Sequence, residues 1–218
     1  MASEGLRGLL VDYGGVLTTS VTRSFRSWCV RAGLPPDLAK ETFVEAYGAV
    51  DGDSAVHQVE TGRMTGAEFA VGLAAALSAR AGRRVAPDGL IQGLFAEITL
   101  DEVMLTAVAA ARGAGVRTGL LSNSWGREGY PRERFAELFD AVVISGEVGL
   151  RKPDPAIFAL GAAELGLPAS ACLFVDDLDV NVRAAEAAGM TGVHHRRTED
   201  TLPRLAQLLG LDPATLNR

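Results

Sequence analysis

A chain of 218 residues, 48% hydrophobic and 22% charged, is long enough to bury a core without disulfide or metal staples and too apolar to stay disordered. Its 21 basic and 27 acidic residues leave a formal charge of −6, and apart from Arg83-Arg84 and Arg196-Arg197 the basic residues are scattered, which excludes nucleic acid as the main partner. No run is long and apolar enough to span a membrane, the start "MASEGLRGLLVDYGG" lacks signal-peptide organisation, and Cys29 and Cys172 read as separate core residues, so a reducing cytoplasm is the expected setting.

In chain order, the apolar run Leu6–Asp12 reads as a first buried strand. Residues 20–99 then hold several helical patterns and no convincing strand. Within them "PPDLAKETFVEAYGAV" opens on prolines suited to a helix start, and "MTGAEFAVGLAAALSARAG" begins at a Thr65-x-x-Glu68 capping box and closes at Gly82. This stretch predicts an inserted bundle of about four helices. A helix over Asp101–Ala114, strands at Val116–Ser122 and Ala141–Ser145, a helix over Asp154–Leu165, a strand at Cys172–Asp176, a helix over Asp179–Ala188 and a strand at Thr191–His194 follow. Strands alternating with helices predict an α/β fold. Residues 1–19 and 100–218 are expected to form a doubly wound, Rossmann-like parallel sheet core, and residues 20–99 a helical cap.

Ligands of such a sheet bind outside the carboxyl ends of its strands. The residues that follow successive strands are Asp12, then Ser122-Asn123, then Lys152 by way of "GEVGLRKPDP", then Asp176-Asp177. Three carboxylates, a hydroxyl-amide pair and one ammonium at a single edge suit a hard divalent cation such as magnesium together with a phosphate group. Phosphoryl transfer through an aspartyl-phosphate is the chemistry this set can support. Taken singly, the same residues read as a strand-end cap, a turn, a loop lysine and a helix-start acid. Their joint placement outweighs those readings.

The motifs "LLVDYGGVLT", "GLLSNS", "GLRKPDPAIF" and "CLFVDDLDVNVRAAEAAGM", in that order and with a helical insertion between the first two, resemble those of the haloacid dehalogenase superfamily over nearly the whole chain. "VETGRMTGAEF" is similar to a cap segment of the branch that holds sugar-1-phosphate phosphatases and the amino-terminal phosphatase domain of soluble epoxide hydrolases. The resemblance implies Asp12 as nucleophile and metal ligand, the Gly14 carbonyl and Asp177 as further magnesium ligands, and Ser122, Asn123 and Lys152 as the phosphate-binding set. Asp176 would support Lys152 or the metal shell, and Asn181 would brace the fourth-motif loop or reach a metal-bound water. The implied activity is hydrolysis of a small phosphorylated metabolite by a monomer or homodimer.

One position departs from the pattern. Most phosphatases of the superfamily carry a second aspartate two residues after the nucleophile, as general acid and base, and this chain has Gly14. The resemblance therefore implies a preference for good leaving groups. Within the cap His57 and Glu60 read as a solvated helix face, with replacement of the missing acid the competing role; Tyr13 reads as packing under the cap. Trp125 lines the substrate pocket or seals the seam between core and cap. His194-His195 reads as a polar exit from the last strand. Two other functions compete: a non-catalytic or regulatory member that binds a phosphorylated ligand or partner, which Gly14 favours, and a 2-haloacid dehalogenase, which the adjacent acids Asp176-Asp177 disfavour.

Overall fold

The structure is a computed structural model that describes residues 5–47, 54–125 and 130–216. Five strands, β1 (Gly8–Val11), β2 (Arg117–Ser122), β3 (Ala141–Ile144), β4 (Cys172–Asp176) and β5 (Thr191–His194), form one sheet in the order β3-β2-β1-β4-β5. Every adjacent pair is parallel. The strand sequences are short continuous apolar runs because both faces are covered: Leu9 and Val11 join one hydrophobic cluster and Leu10 the other.

Between β1 and β2 lie α1 (Val21–Arg31), α2 (Leu38–Tyr47), α3 (Ala55–Glu60), α4 (Gly66–Ala81), α5 (Leu90–Phe95) and α6 (Glu102–Gly113). After β2 come α7 (Arg132–Leu138), then α8 (Ser145–Val148) and α9 (Pro155–Glu164) following β3, α10 (Asp179–Ala187) following β4, and α11 (Thr198–Leu209) and α12 (Pro213–Leu216) following β5. Helices α6, α7, α11 and α12 cover one sheet face through Met104, Val108, Phe135, Leu205 and Leu216. On the other, α9 and α10 pack Ile157, Phe158 and Ala185. The doubly wound α/β sheet predicted from the sequence is the fold.

The inserted helices α1 to α5 bury a cluster of their own, with Phe25, Cys29, Leu38, Val56, Phe69, Leu77 and Leu94 inside it. Among the described residues there are five of them where the sequence pattern suggests about four, because α5 spans only six residues. The tail of the α2 pattern, Gly48–Val50, lies outside the described residues. Local signals set the better-marked ends: the Thr65 hydroxyl accepts from the Glu68 N–H and the Glu68 carboxylate accepts from the Thr65 N–H, a complete capping box, and Gly82 closes α4 in the left-handed conformation. Entry to and exit from the insertion run side by side, since the Thr19 N–H donates to the Thr99 carbonyl at 2.8 Å and the Asp101 N–H to the Leu17 carbonyl at 2.9 Å. Both cysteines are buried and unpaired, and among the described residues no helix is long and apolar enough to cross a membrane.

Candidate active site

The sheet register brings the acids together. β1 lies between β2 and β4, so the chain leaves it in opposite directions and the cleft at its carboxyl end is the topological switch point. Val11 is opposite Val175, and the Asp12 N–H donates to the Val175 carbonyl at 2.9 Å, which sets Asp12 beside Asp176 at the end of β4. Asp12, Asp176 and Asp177 each offer a carboxylate oxygen, all within 4.8 Å of one another.

Lys152 supplies the balancing charge. It reaches the cleft from the loop before α9, is 1% exposed, and holds its Nζ 2.8 Å from Asp12 Oδ1 and 2.6 Å from Asp176 Oδ2. A buried ammonium with two carboxylates stays protonated, and these partners push Lys152 above the usual lysine range although burial opposes them. Its backbone is clamped as well: the Lys152 N–H donates to Asn123 Oδ1 at 2.8 Å and Asn123 Nδ2 donates to the Lys152 carbonyl at 3.0 Å. The Asn123 carboxamide is thus committed to positioning Lys152, and any phosphate contact from this residue falls to its backbone. Asp176 is fully engaged, accepting from Lys152 Nζ, from the Leu178 N–H at 2.8 Å and from Asn181 Nδ2 at 3.1 Å on both oxygens. Asp176 thus contacts Lys152, and Asn181 reaches Asp176 across the start of the loop after β4.

Asp12, buried and paired with Lys152 through Oδ1, and the half-buried Asp177 are the other two carboxylates of the cluster. Burial is the main reason that the Asp12 carboxyl is pushed up to about 7, with Lys152 pulling the other way and Asp176 and Asp177 adding to the rise. Burial and the neighbouring Asp176 push Asp177 up to about 6. Carboxyls that resist ionisation beside one another are relieved by a hard cation, so this donor set fits magnesium. The turn carrying Gly14 is held by Thr18, whose Oγ1 accepts from the Gly15 N–H at 3.1 Å and donates to the Tyr13 carbonyl at 3.3 Å. Gly15 then passes directly beneath Asp177. Its φ is +79°, and a Cβ there would stand 2.4 Å from Asp177 Oδ2. Gly15→Ala is therefore expected to displace Asp177 and weaken magnesium binding at least tenfold, as measured by calorimetry on a variant whose circular dichroism is unchanged. Unaltered affinity would mean that Asp177 does not contribute.

Ser122 ends β2, is 2% exposed, and its Oγ lies 2.9 Å from the Tyr130 hydroxyl. Tyr130 is a site residue that sequence reasoning missed; "SWGREGYPRERF" shows only a polar loop, and its one usable signal is an aromatic residue shortly after the second motif.

The cap contributes a group that the sequence misplaced. Glu60, at the end of α3, is 2% exposed and is no solvated-face residue: its Oε2 lies 2.7 Å from Arg151 Nε and 3.4 Å from Asn123 Nδ2, while its carbonyl accepts from the Ser145 hydroxyl at 2.5 Å. These contacts place the Glu60 carboxylate between Arg151 and Asn123, at the seam of the inserted helices and the core. His57 is half-buried on the same helix. Tyr13 packs with the core cluster rather than under the cap, its ring 4.9 Å from that of Tyr130. Trp125 seals the seam: it extends from the core loop into the cap cluster and meets the rings of Phe25, Phe43, Phe69 and Phe95 at 4.4 to 5.7 Å. His195 is buried with Nδ1 2.9 Å from the Thr201 hydroxyl, and His194 Nε2 lies 3.0 Å from the Asp177 carbonyl.

Pig bifunctional epoxide hydrolase 2 is 26% identical over 221 residues, which cover 94% of this chain and 39% of that protein. Glyceraldehyde 3-phosphate phosphatase of Methanopyrus kandleri is 39% identical over 92 residues, 41% of this chain and 39% of its own. The chain spans about a fifth to two fifths of the length of the curated relatives that it matches over most of its own length. A haloacid dehalogenase family enzyme of Bacteroides thetaiotaomicron, solved with magnesium and inorganic phosphate, shares the fold at a TM-score of 0.62 and 22% identity, covering 90% of this chain and 97% of that one. Solved dehalogenases share the fold too. The sequence profile of the haloacid dehalogenase-like hydrolases matches residues 6–189, and with that extent of match the chain belongs to the haloacid dehalogenase-like hydrolase family.

Proposed function

We propose that this protein is a magnesium-dependent phosphatase of small phosphorylated metabolites that works through an aspartyl-phosphate and favours good leaving groups. The observation that carries the reading is the meeting of Asp12, Asp177 and the buried Lys152 with the Ser122 hydroxyl at the carboxyl ends of the strands. Phosphatases among its relatives support it. In this reading an Asp12 oxygen attacks phosphorus, the P–O bond to the leaving group breaks, and the leaving oxygen departs with the electron pair. Lys152 holds the Asp12 carboxylate in place and offers positive charge to the phosphoryl oxygens, and Ser122 donates a hydrogen bond to one of them. Bound magnesium would neutralise phosphoryl charge and orient it towards Asp12. Water then cleaves the aspartyl-phosphate and regenerates Asp12.

Gly14 offers no proton to the leaving oxygen, which favours acyl phosphates and other esters whose leaving group needs none. Dehalogenation would use the same nucleophile, but a second carboxylate at Asp177, close to Asp12, suits a cation that such chemistry does not need. The test is turnover of a panel of phosphate esters and acyl phosphates with magnesium and with chelator. Magnesium-dependent phosphate release, fastest on acyl phosphates, is expected. Absence of release across the panel, or release that is indifferent to chelation, overturns the reading.

A further inference from the structure

We propose that Tyr130 is a positioning residue for phosphoryl binding: its hydroxyl donates to Ser122 Oγ and so aims the single Ser122 proton at the substrate. The inference rests on the phosphatase reading and extends it to a residue outside the four motifs. A serine hydroxyl has one proton and accepts through its lone pairs. Ser122 has two partners within reach in the structure, the Tyr130 hydroxyl at 2.9 Å and the Asn123 carbonyl at 3.3 Å. If Ser122 donated to Tyr130, it would have nothing to give a phosphoryl oxygen. If Tyr130 donates, the Ser122 proton is left with the longer contact to Asn123, which an anionic oxygen displaces because charge-assisted hydrogen bonds are roughly twice as strong as neutral ones.

A phenol is protonated at neutral pH in any case, and burial pushes Tyr130 further upwards. The chain from the Tyr130 hydroxyl through Ser122 to the phosphoryl oxygen then polarises in one direction, strengthening its last link. The Tyr130 ring is packed on two sides. Its ring rests against Tyr13 at 4.9 Å and Phe135 at 6.1 Å, and it contributes to the cluster beneath β1 and β2. Those ring contacts belong to the ring alone, so phenylalanine at this position keeps the packing and removes only the hydrogen bond.

The experiment is a double-mutant cycle with Tyr130→Phe and Ser122→Ala, read twice: as kcat/KM on an acyl phosphate, and as affinity for inorganic phosphate in the presence of magnesium by calorimetry. Tyr130→Phe alone should lower both by about 5- to 20-fold, because the Ser122 proton is no longer aimed at the phosphoryl oxygen, with thermal stability nearly unchanged. In the Ser122→Ala background the same change should cost less than twofold, because the residue acts through Ser122. Equal losses in the two backgrounds, or no loss in either, overturn the positioning role while leaving the phosphatase reading intact. If the chain binds phosphate without turning it over, the affinity cycle alone decides the Tyr130 role and the enzyme reading falls separately. A chain that neither binds phosphate nor hydrolyses any ester overturns both.

Discussion

Asp12→Asn is expected to lower turnover of every phosphorylated substrate by on the order of 10⁴-fold or more, and at the same time to stabilise the metal-free protein above pH 7. The first effect follows from removing the attacking oxygen. The second follows from the surroundings of Asp12. Its carboxyl is pushed up to about 7, since burial and the charges of Asp176 and Asp177 outweigh the attraction of Lys152 2.8 Å away. A carboxyl whose folded value lies above its unfolded value of about 4 contributes stability while protonated, and that contribution is lost as pH rises through about 7. Asparagine has no proton to lose.

Lys152 titrates in contact with Asp12, so the difference between the two denaturation curves reads the Asp12–Lys152 pair together. The variant should lead above pH 7, and the lead should shrink as pH falls towards 4. Lys152 keeps its 2.6 Å contact with Asp176 in the variant, so its ammonium is not left unpaired. Magnesium should reverse the order at pH 8, because wild type gains a ligand that the variant lacks. Equal stability of the two metal-free proteins from pH 5 to 8 would mean that Lys152 compensates Asp12 completely, and would remove the electrostatic argument for a cation at this site.

Much of the fold and the site is legible in the sequence because the cues are local. β4 is an uninterrupted buried run, CLFVD, and both ends of α4 carry their own capping residues. The motif acids sit one residue beyond such runs, and a parallel register then brings Asp12 and Asp176 together without further information. What escaped the sequence depends on contacts made at long range or on weakened patterns. Glu60 looks like an exposed helix residue until Arg151, 91 positions away, is seen beside it. Helix α11 carries Pro203 inside it, a residue that ordinarily argues against a helix interior. Asn123 has the composition of a phosphate-binding turn, and only the fold shows that its carboxamide is occupied by the Lys152 backbone.

Gly14→Asp tests what the departure from the family pattern does to catalysis. The position accepts a side chain: Gly14 lies outside the left-handed region that Gly15 occupies, and a Cβ there would come 3.1 Å from Val21 Cγ2. Val21 is the half-buried first residue of α1 and can give the few tenths of an ångström required. Without an acid, the leaving oxygen departs carrying its full charge, so kcat/KM for wild type should fall steeply as the leaving group becomes more basic. Gly14→Asp should flatten that slope, raising kcat/KM by about 10- to 100-fold on an alkyl phosphate and by less than threefold on an acyl phosphate. The same carboxylate would take a proton from the water that attacks the aspartyl-phosphate. Wild type given an acyl phosphate should therefore release its leaving group in an initial burst, which the variant removes as hydrolysis speeds up. An unchanged slope and an unchanged burst, in a variant that folds and binds magnesium, would show that another group already supplies the proton. A flattened slope would identify the side chain missing at Gly14 as the source of the preference for good leaving groups that the phosphatase reading expects.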